Sequence, residues 1–404
     1  MPFHRVSSVY AVVEDTAETI RPKHRILGVR RREFLAHAGN SVLASALLPL
    51  HGRLAAAPRT QRGATSVSAS LVPLTAALEK QLPDWMRQAR VPGLSIVIIE
   101  KAAIAWQRGF GVRDATTTAP VTNDVMFEAA SMSKPVFAYV VMKLCESGVM
   151  NLDVPLTKYT PDRFLAGDSR LDAITARHVL SHTSGFQNWR SETTPLAIHF
   201  TPGTQYLYSG EGYNYLQTVV TRLLGELFEV YMRTRLFAPL GMSSSRYVWD
   251  DVAERRMARP HAGDGTAIDN NKSSSASVAR YGSAGALLTT PADFATFVIN
   301  VIDPKPADTA RLNQASLTEM LRPQVKLPST DYPSSWALGW QIFHNKTGDF
   351  IYHGGDNRGF HCSAVASATR KCGYVAMTNG DNGQALLGNV NTMDAMQQFL
   401  TGSR

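Results

Sequence analysis

Hydrophobic and polar positions follow a strand-like pattern near both ends of the folded part of the chain. A helix is predicted over Leu71 to Ala89, and two strand-like segments behind it predict a hairpin. Strand character returns late in the chain, before a final helix predicted from about Ala385 to Leu400. The predicted strands are Ser95–Glu100, Ala103–Gly111, Ala337–Phe343, Phe350–His353, Phe360–Ala368 and Gly373–Thr378.

The middle of the chain has a different pattern. From Leu152 to roughly Leu327, helical periods, turns and prolines predominate. Strands at both ends around such a middle predict an α+β fold, in which one antiparallel sheet is flanked by helices. We therefore expect a domain over residues 71–404, with a helical subdomain inserted at roughly residues 152–327.

Ser131 and Lys134 form an S-x-x-K pattern at the predicted start of an apolar helix. Residues 136–145 are mostly apolar, which predicts a buried helix. Pro135 is tolerated in a first helical turn, so the helix is expected to begin near Ser131 to Met132. Residues three apart share one face of a helix, which brings the Lys134 amine close to the Ser131 hydroxyl.

This pair suits nucleophilic catalysis. A serine hydroxyl is a weak nucleophile until a base takes its proton, and a lysine can be that base only when it is neutral. Burial disfavours the ammonium form of Lys134, and the positive end of the helix dipole acts in the same direction. Alone, the pattern equally fits a serine N-cap beside a surface lysine, so further motifs are needed to decide.

The N-terminal 57 residues have the features of a bacterial export signal. Arg31 and Arg32 form a twin-arginine pattern, followed by a weakly apolar stretch over residues 36–50 and the small residues Ala55 to Ala57. The apolar stretch is too short and too interrupted for a good membrane span. We expect a twin-arginine-type signal over residues 1–57, a linker over 58–70, and a periplasmic or secreted protein with no membrane span after signal removal. The alternative is a disordered basic extension.

Charge gives little support to nucleic-acid binding. The formal net charge of the 404-residue chain is +8, of which the first 57 residues carry +4, from eight Lys and Arg against four Asp and Glu. No basic block with interleaved aromatic residues follows the leader, so we expect no nucleic-acid partner.

Cysteine and histidine spacings predict neither a disulfide nor a metal site. Cys145 falls in the apolar helix, whereas Cys362 and Cys372 fall on consecutive predicted strands, out of register for direct pairing. No pair of histidines has zinc-like spacing with a third ligand, so neither a metal nor another cofactor is expected.

Further motifs give the chain a family resemblance. Tyr208-Ser209-Gly210, behind Pro202-Gly203, resembles the tyrosine motif that follows S-x-x-K in the superfamily of serine β-lactamases and penicillin-binding proteins, in particular its class C-like branch. His353-Gly354-Gly355 resembles the third motif of that branch. Leu180–Gly185, Gly285–Asp293 and Met377–Asn379 resemble supporting stretches in the expected order, from about residue 90 to residue 400.

The resemblance implies a β-lactamase/transpeptidase-like fold and a catalytic set of Ser131, Lys134 and Tyr208. Either Lys134 or Tyr208 could carry the serine proton, because the two groups titrate as a coupled pair. The resemblance also implies an oxyanion site made by the backbone N–H groups of Ser131 and Asp356. Gly354 and Gly355 would let substrate lie against the strand, and Gln187 is a candidate for lining the site.

Two histidines near the motifs invite a Ser-His-Asp interpretation. The S-x-x-K scheme supplies its own base, and His182 falls in a stretch that the superfamily uses structurally. A packing role is therefore expected for His182, and no catalytic role is assigned to His178.

Two departures from the motifs concern the substrate. Gly210 stands where relatives often have an asparagine that contacts the substrate amide, and His353 stands where enzymes acting on β-lactams or D-alanyl peptides usually have a lysine. An imidazole is mostly neutral at pH 7, so the site has lost a cation for a substrate carboxylate. Arg358 could replace that charge.

We therefore expect an exported serine hydrolase with an acyl-enzyme on Ser131 and a small-molecule or peptidoglycan-derived substrate. The first hypothesis is amide hydrolysis of the β-lactamase or D-alanyl-D-alanine carboxypeptidase type. A carboxylesterase or acyl transferase on the same scaffold is the alternative. A third possibility, from another class, is a non-catalytic cell-wall or β-lactam binding protein.

Overall fold

The computed structural model describes residues 68–328 and 333–402. The predicted export signal and most of the predicted linker lie outside the described residues. The helices are α1 Val72–Ala89, α2 Ser133–Glu146, α3 Ala176–Leu180, α4 Gly210–Leu224, α5 Phe228–Tyr231, α6 Ala238–Leu240, α7 Asp251–Arg256, α8 Ser275–Gly285, α9 Pro291–Ile302, α10 Gln314–Leu321, α11 Gly383–Thr392 and α12 Asp394–Thr401. Short 3₁₀ turns cover Ala130–Met132, Leu156–Lys158 and Ser169–Ala173, and a π-helical stretch, Met232–Phe237, joins α5 to α6.

The strands form one large antiparallel sheet and one small one. The large sheet has the order β3-β2-β1-β11-β10-β9-β8-β7-β6, so strands from the two ends of the chain meet where β1 pairs with β11. The small sheet pairs β4 with β5. The strands are β1 Gly93–Glu100, β2 Ala103–Asp114, β3 Ala119–Pro120, β4 Phe127–Glu128, β5 Leu288–Thr289, β6 Val325–Lys326, β7 Ser334–Trp336, β8 Gln341–Phe343, β9 Phe350–Asn357, β10 Phe360–Ser367 and β11 Cys372–Thr378.

The central strands separate two hydrophobic cores. Along β1, Val97 and Ile99 pack into the larger core with α2, α8 and α9, whereas the alternate residues Ile96 and Ile98 pack into a smaller core with α1, α11 and α12. A strand buried on both faces lacks the polar alternation of a half-exposed strand, which explains the continuous apolar run of β1. The predicted α+β class and β-lactamase/transpeptidase-like architecture are confirmed.

Helix α2 lies inside the larger core and begins beside the large sheet. Most of its residues are buried, and Pro135 occupies its first turn as predicted. The start differs slightly from the prediction, because Ser131 belongs to the preceding 3₁₀ turn rather than to the α-helix. Because that turn lies next to β9, the fold brings Ser131 to the sheet edge that carries His353.

The segment Ala337–Phe343 is a tight turn and a short strand rather than the single predicted strand. Strand β7 ends at Trp336 and β8 begins at Gln341, and the chain reverses through Gly339, whose φ is +85°. A Cβ at Gly339 would lie 2.6 Å from the Cβ of Ala138 in α2. Glycine is therefore required both by the positive φ and by the close approach of the turn to α2.

The predicted C-terminal helix is divided into α11 and α12. Met393 between them has an extended backbone, with ψ of 136°. The Thr392 hydroxyl donates to the carbonyl of Gly388, a local hydrogen bond that competes with helix continuation. No proline or glycine marks this break in the sequence.

Cys145, Cys362 and Cys372 are free thiols, and the register of β10 with β11 pairs Cys362 with Met377 and Cys372 with Ser367. The two strand cysteines are therefore out of register, as predicted.

Across residues 68–328 and 333–402, none of the helices is both long enough and apolar enough to cross a bilayer.

Candidate active site

Ser131 lies in a braced and strained turn. The preceding residue, Ala130, has φ of +47°, a left-handed conformation that a residue with a side chain seldom adopts. The buried hydroxyl of Ser133 donates to the Ala130 carbonyl at 2.7 Å and accepts the N–H of Leu287 at 3.0 Å. These contacts hold the half-buried Ser131 at the mouth of α2.

The amine of Lys134 lies next to the Ser131 hydroxyl, as the spacing predicted. Its Nζ is 3.1 Å from Ser131 Oγ and donates to the carbonyl of Ala284, at the end of α8, at 2.6 Å. The side chain is fully buried, and this burial lowers the pKa of the Lys134 amine to about 7. A neutral amine can donate one N–H to the carbonyl of Ala284 while its lone pair faces the Ser131 hydroxyl.

Tyr208 lies against Lys134, in the loop that leads into α4. The Lys134 Nζ is 5.0 Å from the centre of the Tyr208 ring. The next residue, Ser209, is the N-cap of α4 and accepts the N–H of Gly212 at 2.8 Å. The structure thus brings Ser131, Lys134 and Tyr208 together.

His182 supports Tyr208 from behind. Its ring lies 4.2 Å from that of Tyr208, and its Nδ1 accepts the N–H of Ser209 at 3.0 Å. Burial, together with the nearby Lys134 and His353, lowers the pKa of His182 well below its usual value. This placement agrees with the packing role expected from the sequence. His178 instead caps α3, where its ring nitrogen lies 3.3 Å from the backbone nitrogen of Thr175.

His353 lies on β9, with its ring 6.5 Å from that of Tyr208. The side chain is 2% exposed, and Nδ1 donates to the carbonyl of Gly354 at 2.6 Å. Burial and the nearby Lys134 lower the pKa of His353 to about 3. The imidazole at this position is therefore neutral across the physiological pH range.

Gly355 makes room for protein rather than for substrate. A Cβ at Gly355 would lie 2.3 Å from the carbonyl oxygen of Ala129, just before the Ser131 turn. The expectation that this missing side chain admits substrate is therefore wrong, because backbone already fills the space. At Gly354 a Cβ would meet the hydroxyl of Tyr352 at 2.8 Å. Gly355 thus keeps β9 close to the Ser131 turn, whereas Gly354 leaves room for the Tyr352 hydroxyl.

Asp356 lies where β9 runs past the Ser131 turn. Strand β8 pairs with β9 only at residues 350–352, so the part of β9 from His353 onward has no partner strand on that side. The exposed carboxylate of Asp356 pairs with the imidazole of His361 at 2.6 Å. The carboxylate of Asp356 is thus engaged by His361. A role of Asp356 in the oxyanion site would use only its backbone N–H.

Gln187 braces a loop with its amide. Its Nε2 donates to the carbonyl of Pro195 at 2.8 Å, and its Oε1 accepts the N–H of Ala197 at 3.1 Å. Its backbone carbonyl accepts the hydroxyl of Ser209 at 2.9 Å. The structure gives Gln187 a bracing role in place of the lining role considered from the sequence.

Two residues that sequence reasoning missed adjoin the site. Glu128, on β4, is 7% exposed and accepts the Asn357 amide at 2.6 Å, which ties the end of β9 to the segment before Ser131. Burial raises the pKa of Glu128 to about 7. The second residue, Trp189, lies over Gly210, and a Cβ at Gly210 would be 2.5 Å from the indole ring. A carboxylic side chain within an apolar segment could have identified Glu128 from the sequence. No local pattern indicated that Trp189 packs on Gly210.

Within the described part of the chain, no group of three or more His, Cys, Asp or Glu residues is placed to hold a metal ion. The groups gathered around Ser131 are instead an amine, a phenol, imidazoles and backbone N–H groups, which are the elements of nucleophilic acyl transfer.

Comparisons with known proteins agree with this geometry. The family described as Beta-lactamase matches residues 75–395. Esterase EstB of Burkholderia gladioli is 26% identical over 228 residues, which cover 49% of this chain and 57% of the esterase. Penicillin-binding protein 4* of Bacillus subtilis (strain 168) is 27% identical over 173 residues, which cover 38% of this chain and 37% of that protein. The matched segments thus span less than two thirds of these two relatives.

A solved structure gives the same fold. The octameric penicillin-binding protein homologue from Pyrococcus abyssi superimposes with a TM-score of 0.68 over 82% of this chain and 78% of that chain, at 20% identity. This likeness concerns the fold alone. The predicted superfamily and the predicted class, a β-lactamase-related serine hydrolase, are confirmed by the family match. The chain belongs to the Beta-lactamase family, within the superfamily of serine β-lactamases and penicillin-binding proteins.

Proposed function

We propose that this serine hydrolase cleaves uncharged carboxylic esters through an acyl-enzyme on Ser131. The observation that carries the choice of substrate is the buried His353, which has a pKa of about 3 and stands where a cation would hold a substrate carboxylate. An esterase among the relatives supports the same choice.

Acylation would begin with proton transfer from Ser131. Because burial holds the pKa of Lys134 near 7, a substantial fraction of the amine is neutral at neutral pH. Its lone pair, 3.1 Å from Oγ, would accept the proton as Oγ attacks the ester carbonyl carbon. Tyr208, against the same amine, would share the proton and return it to the departing alcohol.

The negative charge of the tetrahedral intermediate would be held by backbone N–H groups. Those of Ser131 and Asp356 lie on the two segments that Gly355 and the Glu128–Asn357 hydrogen bond keep together. Such donors each contribute about 3 kcal/mol to transition-state stabilisation. Deacylation would reverse the sequence: water attacks the acyl carbon and gives a proton to the same base. The base returns that proton to Ser131 Oγ as the C–Oγ bond breaks and the carboxylic acid leaves.

Two of the cations near the site are already engaged by other groups. Lys134 is fully buried and already serves the serine. Arg190 is engaged by the buried carboxylate of Glu211 at 2.6 Å. The exposed Arg358 follows Asp356 and Asn357 at the end of β9. Binding of an uncharged ester requires no fixed cation, whereas a β-lactam or a D-alanyl peptide carries a carboxylate that a cation would hold.

Hydrolysis of a β-lactam or D-alanyl amide is the competing hypothesis, supported by a penicillin-binding protein among the relatives. To separate the two, the protein is incubated with p-nitrophenyl butyrate and, in parallel, with a chromogenic cephalosporin. We expect ester turnover at least tenfold above cephalosporin turnover. Cephalosporin turnover that equals or exceeds ester turnover would overturn the choice of substrate.

Two variants identify the nucleophile. Ser131→Ala should abolish ester turnover, whereas Ser147→Ala, at an exposed serine just beyond the end of α2, should retain it. Intact-mass spectrometry after a short reaction should show an acyl adduct in the Ser147 variant and none in the Ser131 variant. Turnover by Ser131→Ala would refute the mechanism. A stable adduct without turnover in the unaltered protein would indicate a binding protein.

We further propose that residues 1–57 direct the protein to the periplasm or the medium through the twin-arginine pathway, where it acts on small-molecule or peptidoglycan-derived substrates. The support is the pattern at Arg31 and Arg32 and the small residues that follow the apolar stretch. Replacing both arginines with lysine should abolish export of the full chain. Unchanged export of that variant would contradict the proposal.

A further inference from the structure

Two aromatic side chains stand exposed beside the nucleophile. Trp189 is 46% exposed and Tyr281 is 41% exposed, and their ring centres are 6.5 Å apart in an edge-to-face arrangement. Because the Lys134 amine lies 3.1 Å from Ser131 Oγ and 5.9 Å from the centre of the Trp189 ring, that centre lies within about 9 Å of the nucleophile. A substituent of an ester bound at Ser131 would therefore come near the indole of Trp189.

The position of Trp189 is fixed by its neighbours on both sides. The Asn188 side chain accepts the N–H of Gly210 at 2.9 Å, and the Asn188 carbonyl accepts the N–H of Glu211 at 3.0 Å. On the other side, Arg190 pairs with the buried carboxylate of Glu211. The indole is therefore held against the first turn of α4 although nearly half of it is exposed.

Gly210 is what allows the indole to lie there. A Cβ at this position would come within 2.5 to 2.8 Å of three carbon atoms of the ring, so any side chain would displace Trp189. The indole of Trp189 thus forms a flat apolar surface at the position where a side chain of residue 210 in α4 would otherwise project.

We propose that Trp189, seated on Gly210 and extended by Tyr281, forms a binding surface for a planar apolar substituent of the substrate. This inference rests on the proposed esterase function and names its substrate class: aromatic esters. A planar substituent can stack on the indole, and aromatic pairs gain free energy beyond the area they bury. Small-molecule pockets are lined mainly by apolar and aromatic side chains, which is the kind of surface that Trp189 presents near Ser131.

Two series of esters test the inference and locate the substituent. The acyl series compares p-nitrophenyl benzoate with p-nitrophenyl acetate, so that the leaving group cancels in the ratio of kcat/KM. The alcohol series compares benzyl acetate with ethyl acetate, followed by acid release in a pH-stat. The variants are Trp189→Ala, Trp189→Phe and Tyr281→Ala, with Leu227→Ala as a control at a residue that is 64% exposed.

We expect Trp189→Ala to lower the aromatic-to-aliphatic ratio about tenfold in one series, equivalent to about 1.4 kcal/mol. Trp189→Phe should recover most of the ratio, because a phenyl ring can still stack. Tyr281→Ala should lower it less, and Leu227→Ala should leave it unchanged. A fall in the acyl series places the substituent on the acyl side, and a fall in the alcohol series places it on the alcohol side.

Ratios that stay constant in both series for Trp189→Ala would overturn the inference. The Ser131→Ala variant, run in parallel, keeps this failure separate from failure of the proposed function. Ser131-dependent ester turnover with unchanged ratios removes only the aromatic surface. Ester turnover that persists without Ser131 removes the proposed mechanism itself.

Discussion

Replacing Lys134 by methionine should make the protein more stable and inactive. The fully buried amine has a pKa of about 7 instead of its usual 10.5 because burial disfavours the ammonium. Each pH unit of such a shift is worth about 1.4 kcal/mol, so at pH 7 and below the buried amine costs the folded state about 5 kcal/mol. Methionine has a similar shape without the charge.

Part of that gain is offset by lost hydrogen bonds. Methionine cannot reproduce the contacts of Lys134 with Ser131 Oγ and the Ala284 carbonyl, each worth about 1 kcal/mol net. We therefore expect Lys134→Met to raise the free energy of unfolding by about 3 kcal/mol at about pH 6.

The sign of the pH dependence follows from proton binding. Between pH 7 and 10.5 the unfolded chain keeps a proton on Lys134 that the folded chain has lost, so the wild-type protein gains stability as the pH rises. The methionine variant lacks this gain. The difference in the free energy of unfolding between Lys134→Met and the wild type should therefore shrink by up to about 1.4 kcal/mol per pH unit above pH 7 and approach zero near about pH 9.

Urea unfolding followed by far-ultraviolet circular dichroism at about pH 6 and about pH 9 measures both quantities. Titrating groups that do not interact with Lys134 contribute equally to the two proteins and cancel in the difference. The control is Lys143→Met, in the same helix, where the lysine side chain is 31% exposed and pairs with Glu146. A difference between Lys134→Met and the wild type that is the same at both pH values would refute the depressed pKa, and with it the case for a neutral lysine base.

Three further perturbations test other parts of the site. Gly355→Ala should lower kcat for esters about 100-fold, because a backbone carbonyl lies 2.3 Å from the new Cβ, whereas Gly354→Ala, which meets a movable tyrosine hydroxyl, should cost less than tenfold. Equal losses would contradict the packing argument. Burial raises the pKa of Glu128 from 4.5 to about 7, so the wild type loses stability as the pH rises through that window. Glu128→Gln should therefore raise Tm at about pH 8 but not at about pH 4. His353→Lys should raise cephalosporin turnover relative to ester turnover at least tenfold in kcat/KM, and an unchanged ratio would argue against the missing cation.

The sequence predicted what depends on short stretches of chain. The three-residue spacing from Ser131 to Lys134 places the two groups on one helical face, and the structure has their atoms 3.1 Å apart. The apolar run of α2 predicted its burial, and the motif order led to the family. These features are local, so periodicity and spacing carry them.

What the sequence did not predict depends on contacts between distant stretches. Trp189 and Gly210 pair through a loop and a helix start, and Gly355 is required by a carbonyl more than two hundred residues earlier in the chain. The turn at Gly339 looked like part of one strand because its neighbours are apolar, and only its packing on α2 explains it. Close approaches of this kind leave no local period to recognise.

The electrostatics of the site connect its chemistry to its choice of substrate. Lys134, His182 and His353 are three basic groups buried together. Burial lowers the pKa of each, and the charge of Lys134 lowers the pKa of both histidines further. The desolvation that frees the Lys134 lone pair for Ser131 also leaves both imidazoles uncharged. Neutral imidazoles offer little to a carboxylate, so both facts support the proposal that the substrate is an uncharged ester.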